Sequence, residues 1–408
     1  MAALIILGVF LLIDLYFFQA VKQLTVGLPG HWPRTVRGLF WMPTVLTAMA
    51  LIWWAFDNPY RYDAQFRNWV ITGLFATFFA KFSGVLVLLI GDLYRGGRYI
   101  VDAVQDRSIA GPAMSRSEFV SKMALVGAGI PLGGFAFGIL SGAHDYRLRR
   151  VRVPVRNLPS AWHGLTIGQV SDIHSGSFWN KTAVSGGVEL LMSAKPDLIC
   201  FTGDLVNNQT DEVRDYIPVF SRMRAPLGVY AVTGNHDYGD YRSWPTKESK
   251  DRNFRDLLTA HRELGFRLLM NEQEQVRIGQ DRLSIVGVEN WGAGRFAKYG
   301  QLDRAMSGVP EGAVPILLSH DPSHWDAQVR PGFPHIPLVL SGHTHGFQFG
   351  VEIGGLRWSP SQYIYKQWAG LYTEGDQHLY VNRGFGYLGY PGRVGMPPEI
   401  TVLELVKS

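Results

Sequence analysis

The chain has 408 residues and a formal net charge of +5 at pH 7, and apolar and aromatic runs dominate it up to about residue 140. This length exceeds one typical domain. So small a basic excess, with no basic stripe interleaved with aromatics, excludes nucleic-acid binding as the expected function. We predict a transmembrane helical region over residues 1–145 and a globular domain over residues 146–408. The single cysteine, Cys200, lies in an apolar run and is predicted to be a core residue.

Four apolar segments of the first region are long enough to cross a hydrocarbon layer about 30 Å thick. They run over residues 2–20, 40–56, 69–90 and 123–140. The last segment is short, rich in glycine and interrupted by Pro131, so a kinked or re-entrant helix is an alternative to a full span.

Two ionisable residues, Asp14 and Lys81, interrupt the first and third segments a little past the middle. An isolated charge at that depth is costly. If both segments cross in the same direction, the two side chains lie at similar depth, and we predict a structural ion pair. The alternative is a polar path for a substrate.

The distribution of basic residues gives a prediction of membrane orientation. The residues Lys22, Arg34 and Arg37 follow the first segment, which places the first loop in the cytoplasm. The third loop then also lies inside, and it carries Arg95, Arg98, Arg107, Arg116 and Lys122. We therefore predict a multi-pass protein of a bacterial inner or plasma membrane, with the globular domain outside the cytoplasm.

Two further features bear on this orientation. The segment SRSEFVSKM resembles a twin-arginine export signal, except that Ser117 stands in place of the second arginine. A basic cluster after the last segment argues for the opposite orientation. It could bind anionic headgroups or simply form a solvated first strand. Its members are Arg147, Arg149, Arg150, Arg152 and Arg156.

Short β-type runs alternate with helical stretches from about residue 150 onward. Because the runs are apolar on both faces, they predict an α/β domain with sheets buried on both sides. Polar residues follow each run, where α/β proteins build their sites. The runs are LTIGQV, DLICFTGD, GVYAVTGNHD, LSIVGVEN, PILLSHDP and LVLSGHTHG.

The polar residues at these strand ends combine imidazole, carboxylate and amide groups. Such a mixture suits manganese, iron or zinc rather than calcium. A pair of divalent ions neutralises the charge of a phosphate ester and lowers the pKa of bound water, and a carboxylate can bridge the two ions. The residues are Asp172, His174, Asp204, Asn235, His236, Asp237, His320, His343 and His345.

Five ordered blocks, SDIHSG, FTGDLV, TGNHDYG, LLSHDP and SGHTHG, resemble the motifs of the calcineurin-like metallophosphoesterases, over about residues 150–408. Within that family the chain looks like the membrane-associated branch that includes lipid pyrophosphatases and exported phosphoesterases. The resemblance implies a four-layer α/β/β/α sandwich of two mixed sheets flanked by helices. The chain departs from many members at Phe347, where they carry glycine, and this change concerns substrate shape.

The resemblance also implies a role for each residue. The first metal would be bound by Asp172, His174 and His345, the second by Asn235, His320 and His343, and Asp204 would bridge them. A hydroxide between the ions would attack phosphorus. His236 would hydrogen-bond the phosphoryl group or protonate the leaving oxygen, and Asp237 would orient His236.

Other polar and aromatic residues are harder to assign. Arg383 and Arg393 are predicted phosphate contacts, with structural ion pairs as the alternative. The aromatics after the last block either line a groove beside the metals or fill the gap between the sheet and the terminal strands. These aromatics are Trp358, Tyr363, Tyr365, Trp368 and Tyr372.

The predicted function is hydrolysis of a phosphodiester or pyrophosphate, in a lipid-linked substrate at the membrane surface, with two divalent ions, Mn²⁺ foremost. Membrane lipids are the expected partners. Two alternatives remain. One is a phosphomonoesterase or phosphoprotein phosphatase, and the other is a membrane transporter or sensor with a regulatory metal-binding domain.

Overall fold

A computed structural model of the chain describes residues 2–56, 64–105 and 118–408. The chain divides into two compact units, Met1–Phe137 and Gly138–Ser408. The boundary predicted from composition, after residue 145, falls inside the second unit and stays a prediction.

Four long helices form the described part of the first unit, and the last helix continues into the second. Each contains a stretch long and apolar enough to span a membrane, which confirms four apolar helices in this region. The fourth helix continues through Pro131 without a break. The helices are α1 (Ala2–Leu24), α2 (Trp32–Phe56), α3 (Ala64–Val104) and α4 (Glu118–Leu140).

The basic residues of the predicted third loop are only partly placed by the structure. Arg95 and Arg98 lie inside α3 rather than in a loop. Arg107, Arg116 and Ser117 lie outside the described residues. The orientation of the protein in the membrane therefore stays a prediction.

The ion pair predicted between α1 and α3 is confirmed. Lys81 Nζ lies 2.6 Å from Asp14 Oδ1, and both side chains are buried. The Thr44 hydroxyl of α2 donates to the other Asp14 oxygen, and the ammonium lies 4.4 Å from the Phe40 ring centroid. Three helices thus surround one neutralised pair, which favours the structural role over a polar path.

We expect removal of either partner to destabilise the helical unit by roughly 3–5 kcal/mol, because the remaining charge would be buried without a counter-ion. Asp14→Ala and Lys81→Ala test this through the thermal stability of the detergent-solubilised full chain. The exchange Asp14→Lys with Lys81→Asp should recover most of the loss. Lys122→Ala, which breaks an exposed pair with Glu118, should have little effect. An exchange as damaging as either single substitution would contradict the pairing.

The second unit contains two six-stranded mixed sheets. In the first sheet the order is β1-β14-β2-β3-β4-β5, with β14 parallel to β1 and antiparallel to β2. Its strands are β1 (Arg147–Val155), β2 (Thr166–Val170), β3 (Leu198–Phe201), β4 (Val229–Ala231), β5 (Arg267–Leu268) and β14 (Glu399–Lys407).

The second sheet has the order β12-β13-β9-β8-β7-β6, with β7, β8, β9 and β13 parallel. Its strands are β6 (Glu272–Ile278), β7 (Asp281–Gly287), β8 (Val314–Leu318), β9 (Leu338–Ser341), β12 (Gly370–Glu374) and β13 (Gln377–Val381). A separate hairpin pairs β10 (Val351–Ile353) with β11 (Leu356–Trp358).

The two sheets pack face to face through apolar side chains. Ile167 and Leu198 of the first sheet share one core with Ile316 and Leu338 of the second, and Cys200 is buried in the same core, as predicted. The strands β2, β3, β8 and β9 are almost entirely buried, because helices cover the outer faces. This is the expected α/β/β/α sandwich. The described helices are α5 (Lys181–Ser193), α6 (Ile217–Phe220), α7 (Lys247–Leu264), α8 (Leu302–Met306) and α9 (Arg330–Gly332).

The basic cluster after α4 lies on and just beyond β1, an edge strand of the first sheet. Four of its five arginines form ion pairs. Arg147 pairs with Asp145, Arg149 with Glu352, Arg152 with Glu404 and Arg156 with Asp376. The strand is therefore partly solvated, as the first-strand alternative predicts. Binding of anionic headgroups by these arginines stays a prediction.

Candidate metal centre

The predicted ligands follow strands of both sheets. Asp172 and His174 follow β2, Asp204 follows β3, and Asn235 follows β4. His320 follows β8, and His343 and His345 follow β9. The strand ends of the two sheets lie close together. The backbone amide of His343, after β9, donates to both oxygens of Asp172, after β2, at 3.0 Å.

Five of these residues adopt left-handed backbone conformations, which non-glycine residues rarely do. Their positive φ angles lie between 50° and 73°. Such conformations are retained mainly where function requires them. Here they turn successive side chains such as Asp172 and His174 toward one region. The five residues are Asp172, His174, Asp204, His343 and His345.

Two glycines lie so close to the carboxylates of the site that a side chain would not fit at either position. A Cβ on Gly342 would lie 2.2 Å from Asp172 Oδ2, and one on Gly234 would lie 2.2 Å from Asp204 Oδ1. The glycines of two sequence blocks are therefore required by the close approach of the carboxylates.

The structure brings the predicted ligands together in two adjacent groups. Asp172, His174 and His345 form one group, and Asp204, His320 and His343 form the other. Within each group the potential ligand atoms lie within 4.8 Å of one another. The histidines and Asp172 are divided as the resemblance implies, and Asp204, the implied bridging residue, falls in the second group.

The two groups are joined by short contacts. His174 Nε2 of the first group lies 3.5 Å from Asp204 Oδ2 of the second. His320 Nε2 lies 3.2 Å from Asp204 Oδ2 and 4.0 Å from Asp172 Oδ1. Asp204 thus approaches ligands of both groups, as a bridging carboxylate must.

The electrostatics of the metal-free site follow from burial and charge. Burial lowers the pKa of His343 to about 4 and holds that of His174 well below its ordinary value. Burial alone would also lower the pKa of His320, but the carboxylates of Asp204 and Asp172 raise it to about 10. At neutral pH one ring is therefore an imidazolium, and the other two are neutral and able to bind a cation.

The donor set fits a pair of divalent cations. Imidazole nitrogens face carboxylate oxygens, a combination that divalent transition metals accept. Asn235 Oδ1 is buried without a hydrogen-bond partner among the described residues. Its amide nitrogen donates to the Tyr241 hydroxyl at 2.9 Å, so the oxygen is left as an acceptor for a cation.

Groups behind the ligands fix the orientation of the imidazole rings. His320 Nδ1 donates to the Thr202 carbonyl at 2.7 Å, and His174 Nδ1 donates to Asn207 Oδ1 at 3.1 Å. In both rings Nε2 is left facing the site. Outer hydrogen bonds of this kind hold a metal ligand in its productive tautomer. His343 Nε2 lies 2.9 Å from the Tyr365 hydroxyl, so its Nδ1 faces the site.

The role predicted for Asp237 requires a correction. Its carboxylate accepts from the backbone amides of Asp204, Leu205 and Gly234, at 2.9–3.0 Å. Within the part of the chain that the structure describes, the His236 ring is instead oriented by the Asn207 carbonyl, 2.7 Å from Nδ1. A buried carboxylate satisfies the amides of a tight turn more readily than it reaches a side chain beyond it. Burial and the charge of Asp204 raise the pKa of Asp237 to about 7.

The two arginines predicted to contact phosphate are buried, and their Nη atoms are engaged by protein acceptors. Arg383 pairs with Glu399 and Glu352. Arg393 donates to backbone carbonyls that include Gly386, at 2.9 Å from Nε, and its Nη2 lies 3.4 Å from His345 Nδ1. These contacts favour the alternative to phosphate binding, a structural role in which Arg383 and Arg393 hold the chain around the site.

An open cleft of about 410 Å³ lies beside the metal ligands. Its lining includes Asn235, His236 and His343 together with several apolar side chains. The apolar lining includes Phe347, which also has a positive φ of 58°. Of the predicted aromatics, Tyr365 lines the cleft, whereas Trp368 is buried. The predicted aromatics after the last block therefore line a groove only in part. The apolar lining residues are Phe296, Phe347, Phe349, Ile364, Leu388 and Tyr390.

Two positioning roles, those of Asn207 and Tyr365, are absent from the sequence-based predictions, which name Tyr365 only as a groove or packing aromatic. Asn207 supports His174 through its side chain and His236 through its carbonyl. The signal was available in part, because Asn207 lies three residues beyond Asp204 on the same loop. Tyr365 lies 22 residues after His343 and outside the sequence blocks, so only the folded chain shows their contact.

Family comparisons agree with this architecture. The family model described as calcineurin-like phosphoesterase matches residues 165–347. A second model, described as probable calcineurin-like phosphoesterase, transmembrane domain, matches residues 1–143.

Individual relatives carry related descriptions. The Bacillus subtilis protein named uncharacterized metallophosphoesterase YkuE is 28% identical over 299 residues, covering 72% of this chain and 98% of that protein. Two proteins named transmembrane protein with metallophosphoesterase domain are 30% identical in Danio rerio and 31% identical in Bos taurus. These alignments cover 67% and 66% of this chain, and the chain spans 60% and 59% of those two relatives.

We expect metal affinity to rise with pH. Because His320 is protonated below about pH 10 in the metal-free chain, a cation must displace one proton. The apparent affinity for Mn²⁺ should then rise about tenfold per pH unit between about pH 6 and pH 8. Competition with a fluorescent chelator on the metal-stripped full chain measures this dependence. An affinity that does not change over this range would contradict the protonated His320.

We also expect Asn207→Ala to weaken metal binding by about 10- to 100-fold, because His174 loses the acceptor that orients its ring. Asn207→Asp retains an acceptor oxygen and should keep most of the affinity. Asn208→Ala alters the neighbouring residue and provides the matched control. Metal content after dialysis, together with the unfolding temperature, separates a loss of orientation from a loss of fold. Equal metal content in all three variants would remove the role of Asn207.

Proposed function

This chain belongs to the calcineurin-like phosphoesterases and is a membrane protein, and from that premise we propose that it hydrolyses a phosphodiester carrying an apolar group. The observation that carries the proposal is the cleft, whose lining combines predicted metal ligands with apolar side chains. A lipid-linked phosphoester has both features in one molecule, an anionic phosphate and a hydrocarbon portion.

The phosphate would be bound at the two groups of metal ligands. Divalent cations held there, Mn²⁺ by our preference, would supply charge neutralisation and would activate water. The chain itself contributes the fixed positions of these ligands. The Asn207 side chain, the Thr202 carbonyl and the Tyr365 hydroxyl hold three of the ligand rings in place, and the Asn207 carbonyl holds the ring of His236.

We assign proton transfer to His236, which lines the cleft. Its Nδ1 proton is donated to the Asn207 carbonyl, so Nε2 is the atom available to the substrate. Burial lowers the pKa of this ring in the metal-free chain. A bound phosphate would favour the protonated ring, because its negative charge stabilises the imidazolium. Nε2 could then donate its proton to the leaving oxygen.

The composition of the cleft favours one substrate class over another. Among the described residues that line it there is no Lys or Arg. A pyrophosphate or nucleotide would bring several negative charges, for which basic side chains are the usual partners. A diester with a single phosphate brings one charge, which the cations would neutralise. We therefore favour a phosphodiester over the pyrophosphate.

The membrane helices support the lipid part of the proposal. A chain with four candidate spans holds its catalytic unit close to a bilayer, where lipid-linked substrates are concentrated. On the charge distribution described above, we place this unit on the extracytoplasmic side.

The test compares phosphodiesters of p-nitrophenol that carry either a methyl or an octyl group, with Mn²⁺ and the purified full chain. We expect hydrolysis that depends on metal and is lost in Asp204→Ala and His343→Ala. The octyl ester should have the lower KM, and Phe347→Ser should raise that KM about tenfold, as loss of one apolar contact in a pocket does. The KM of the methyl ester should change little.

Each part of the proposal can fail separately. Activity that survives Asp204→Ala would overturn the metal mechanism. Equal KM values for the methyl and octyl esters would remove the apolar group from the substrate. A faster reaction with p-nitrophenyl phosphate than with either diester would indicate the phosphomonoesterase alternative.

A further inference from the structure

The β10–β11 hairpin has its apolar face turned away from the protein. Val351 pairs with Trp358 and Ile353 with Leu356, so these four side chains share one face. All four are exposed, and Ile353 and Leu356 retain 74% and 65% of their full exposure. A surface hairpin normally does the reverse and buries its apolar face.

The polar face of the same hairpin is held against the domain. Glu352, on that face, pairs with Arg149 at 2.6 Å and with Arg383 at 3.3 Å. Arg357, opposite Glu352, donates to the Ala369 carbonyl at 2.7 Å and lies 4.9 Å from the Trp368 ring centroid. The orientation of the hairpin is therefore fixed by ion pairs, and its apolar side chains cannot turn inward.

Further apolar side chains extend this face to the rim of the cleft. Tyr363 and Ile364 follow the hairpin and are 76% and 63% exposed. The Trp358 Nε1 group donates to the Tyr363 hydroxyl at 3.3 Å. Ile364 and Phe347 also line the cleft. We call the set the hairpin patch, and it consists of Phe347, Val351, Ile353, Leu356, Trp358, Tyr363 and Ile364.

The hairpin begins close to the end of a candidate membrane span. One candidate span runs over Glu118–His144, and its last residues, from Gly138 onward, belong to the second unit. The Arg393 amide donates to the Gly138 carbonyl at 3.1 Å, and the Gly350 amide, at the base of the hairpin, donates to the Val394 carbonyl at 2.9 Å. Two adjacent residues thus connect the span end and the hairpin.

We propose that the hairpin patch inserts into the surface of the lipid bilayer that anchors the chain. Large exposed apolar patches mark interaction sites, and Trp and Tyr favour the membrane interface. The continuity with a span end selects the bilayer as the occupant rather than a soluble protein. Because Ile364 and Phe347 also line the cleft, the inserted patch would let a lipid reach the metal ligands without crossing water.

The test places an environment-sensitive fluorophore on Ile353→Cys in the full chain, reconstituted in phosphatidylcholine–phosphatidylglycerol nanodiscs with one copy per disc. The native Cys200 is buried and does not compete for the label. Nitroxide-labelled lipids should quench most of the fluorescence. The control label is at Gln280→Cys, in the exposed turn of the β6–β7 hairpin, and it should respond little. Adding Leu356→Asp should restore the fluorescence of the label at position 353.

Two results would overturn the proposal. In the first, labels at positions 353 and 280 are quenched to the same small extent. In the second, the label at position 353 is shielded only when several copies share a disc, which would assign the patch to a second copy of the chain. Because the measurement involves no hydrolysis, either result leaves the proposed phosphodiesterase activity standing. Loss of that activity would equally leave the insertion standing.

Discussion

The arrangement of the second unit depends on two buried carboxylates, Asp172 and Asp204, in the seam between the sheets. Charges without water around them require positive partners or hydrogen bonds. The chain supplies both, through the His343 amide, the His236 amide and the protonated His320 ring. The left-handed turns and the glycines packed against the carboxylates follow from this constraint. In the calcineurin-like phosphoesterases, the family to which the chain belongs, divalent cations supply the positive charge that the carboxylates still require.

Because the ligands come from both sheets, the site exists only when the sandwich is closed. Gln169 of β2 donates to the Ser341 carbonyl of β9 at 2.9 Å, next to residues that carry ligands. Arg393 ties the backbone around Gly384 and Gly386 to the loop of His345. The buried arginines therefore act on the chemistry indirectly. Arg393 holds the loop after β13 against the loop of His345, and Arg383 pairs with Glu399 of β14 in the other sheet.

The sequence was sufficient for the strands that carry ligands, because β2, β3, β8 and β9 are continuous apolar runs followed by distinctive polar blocks. It was also sufficient for the pairing of Asp14 with Lys81, since two charges in apolar helices have few other partners. It left two roles open for Arg383 and Arg393 and was wrong about the orienting role of Asp237, because the hydrogen bonds of these residues depend on which loops meet after folding. It gave no sign that β10 and β11 point their apolar face outward, because alternation along a strand does not say which face is buried.

The junction between α4 and the catalytic unit has a consequence for the production of fragments. Gly142 packs so closely that a Cβ there would lie 2.0 Å from the Arg393 carbonyl oxygen. Ala143 is fully buried in the core that also contains Val188 and Phe385. A truncated version starting at residue 146 would leave that part of the core open to solvent and prone to aggregation. A domain made for crystallisation should instead keep the chain from Gly138 onward, with Ile139 and Leu140 replaced by polar residues.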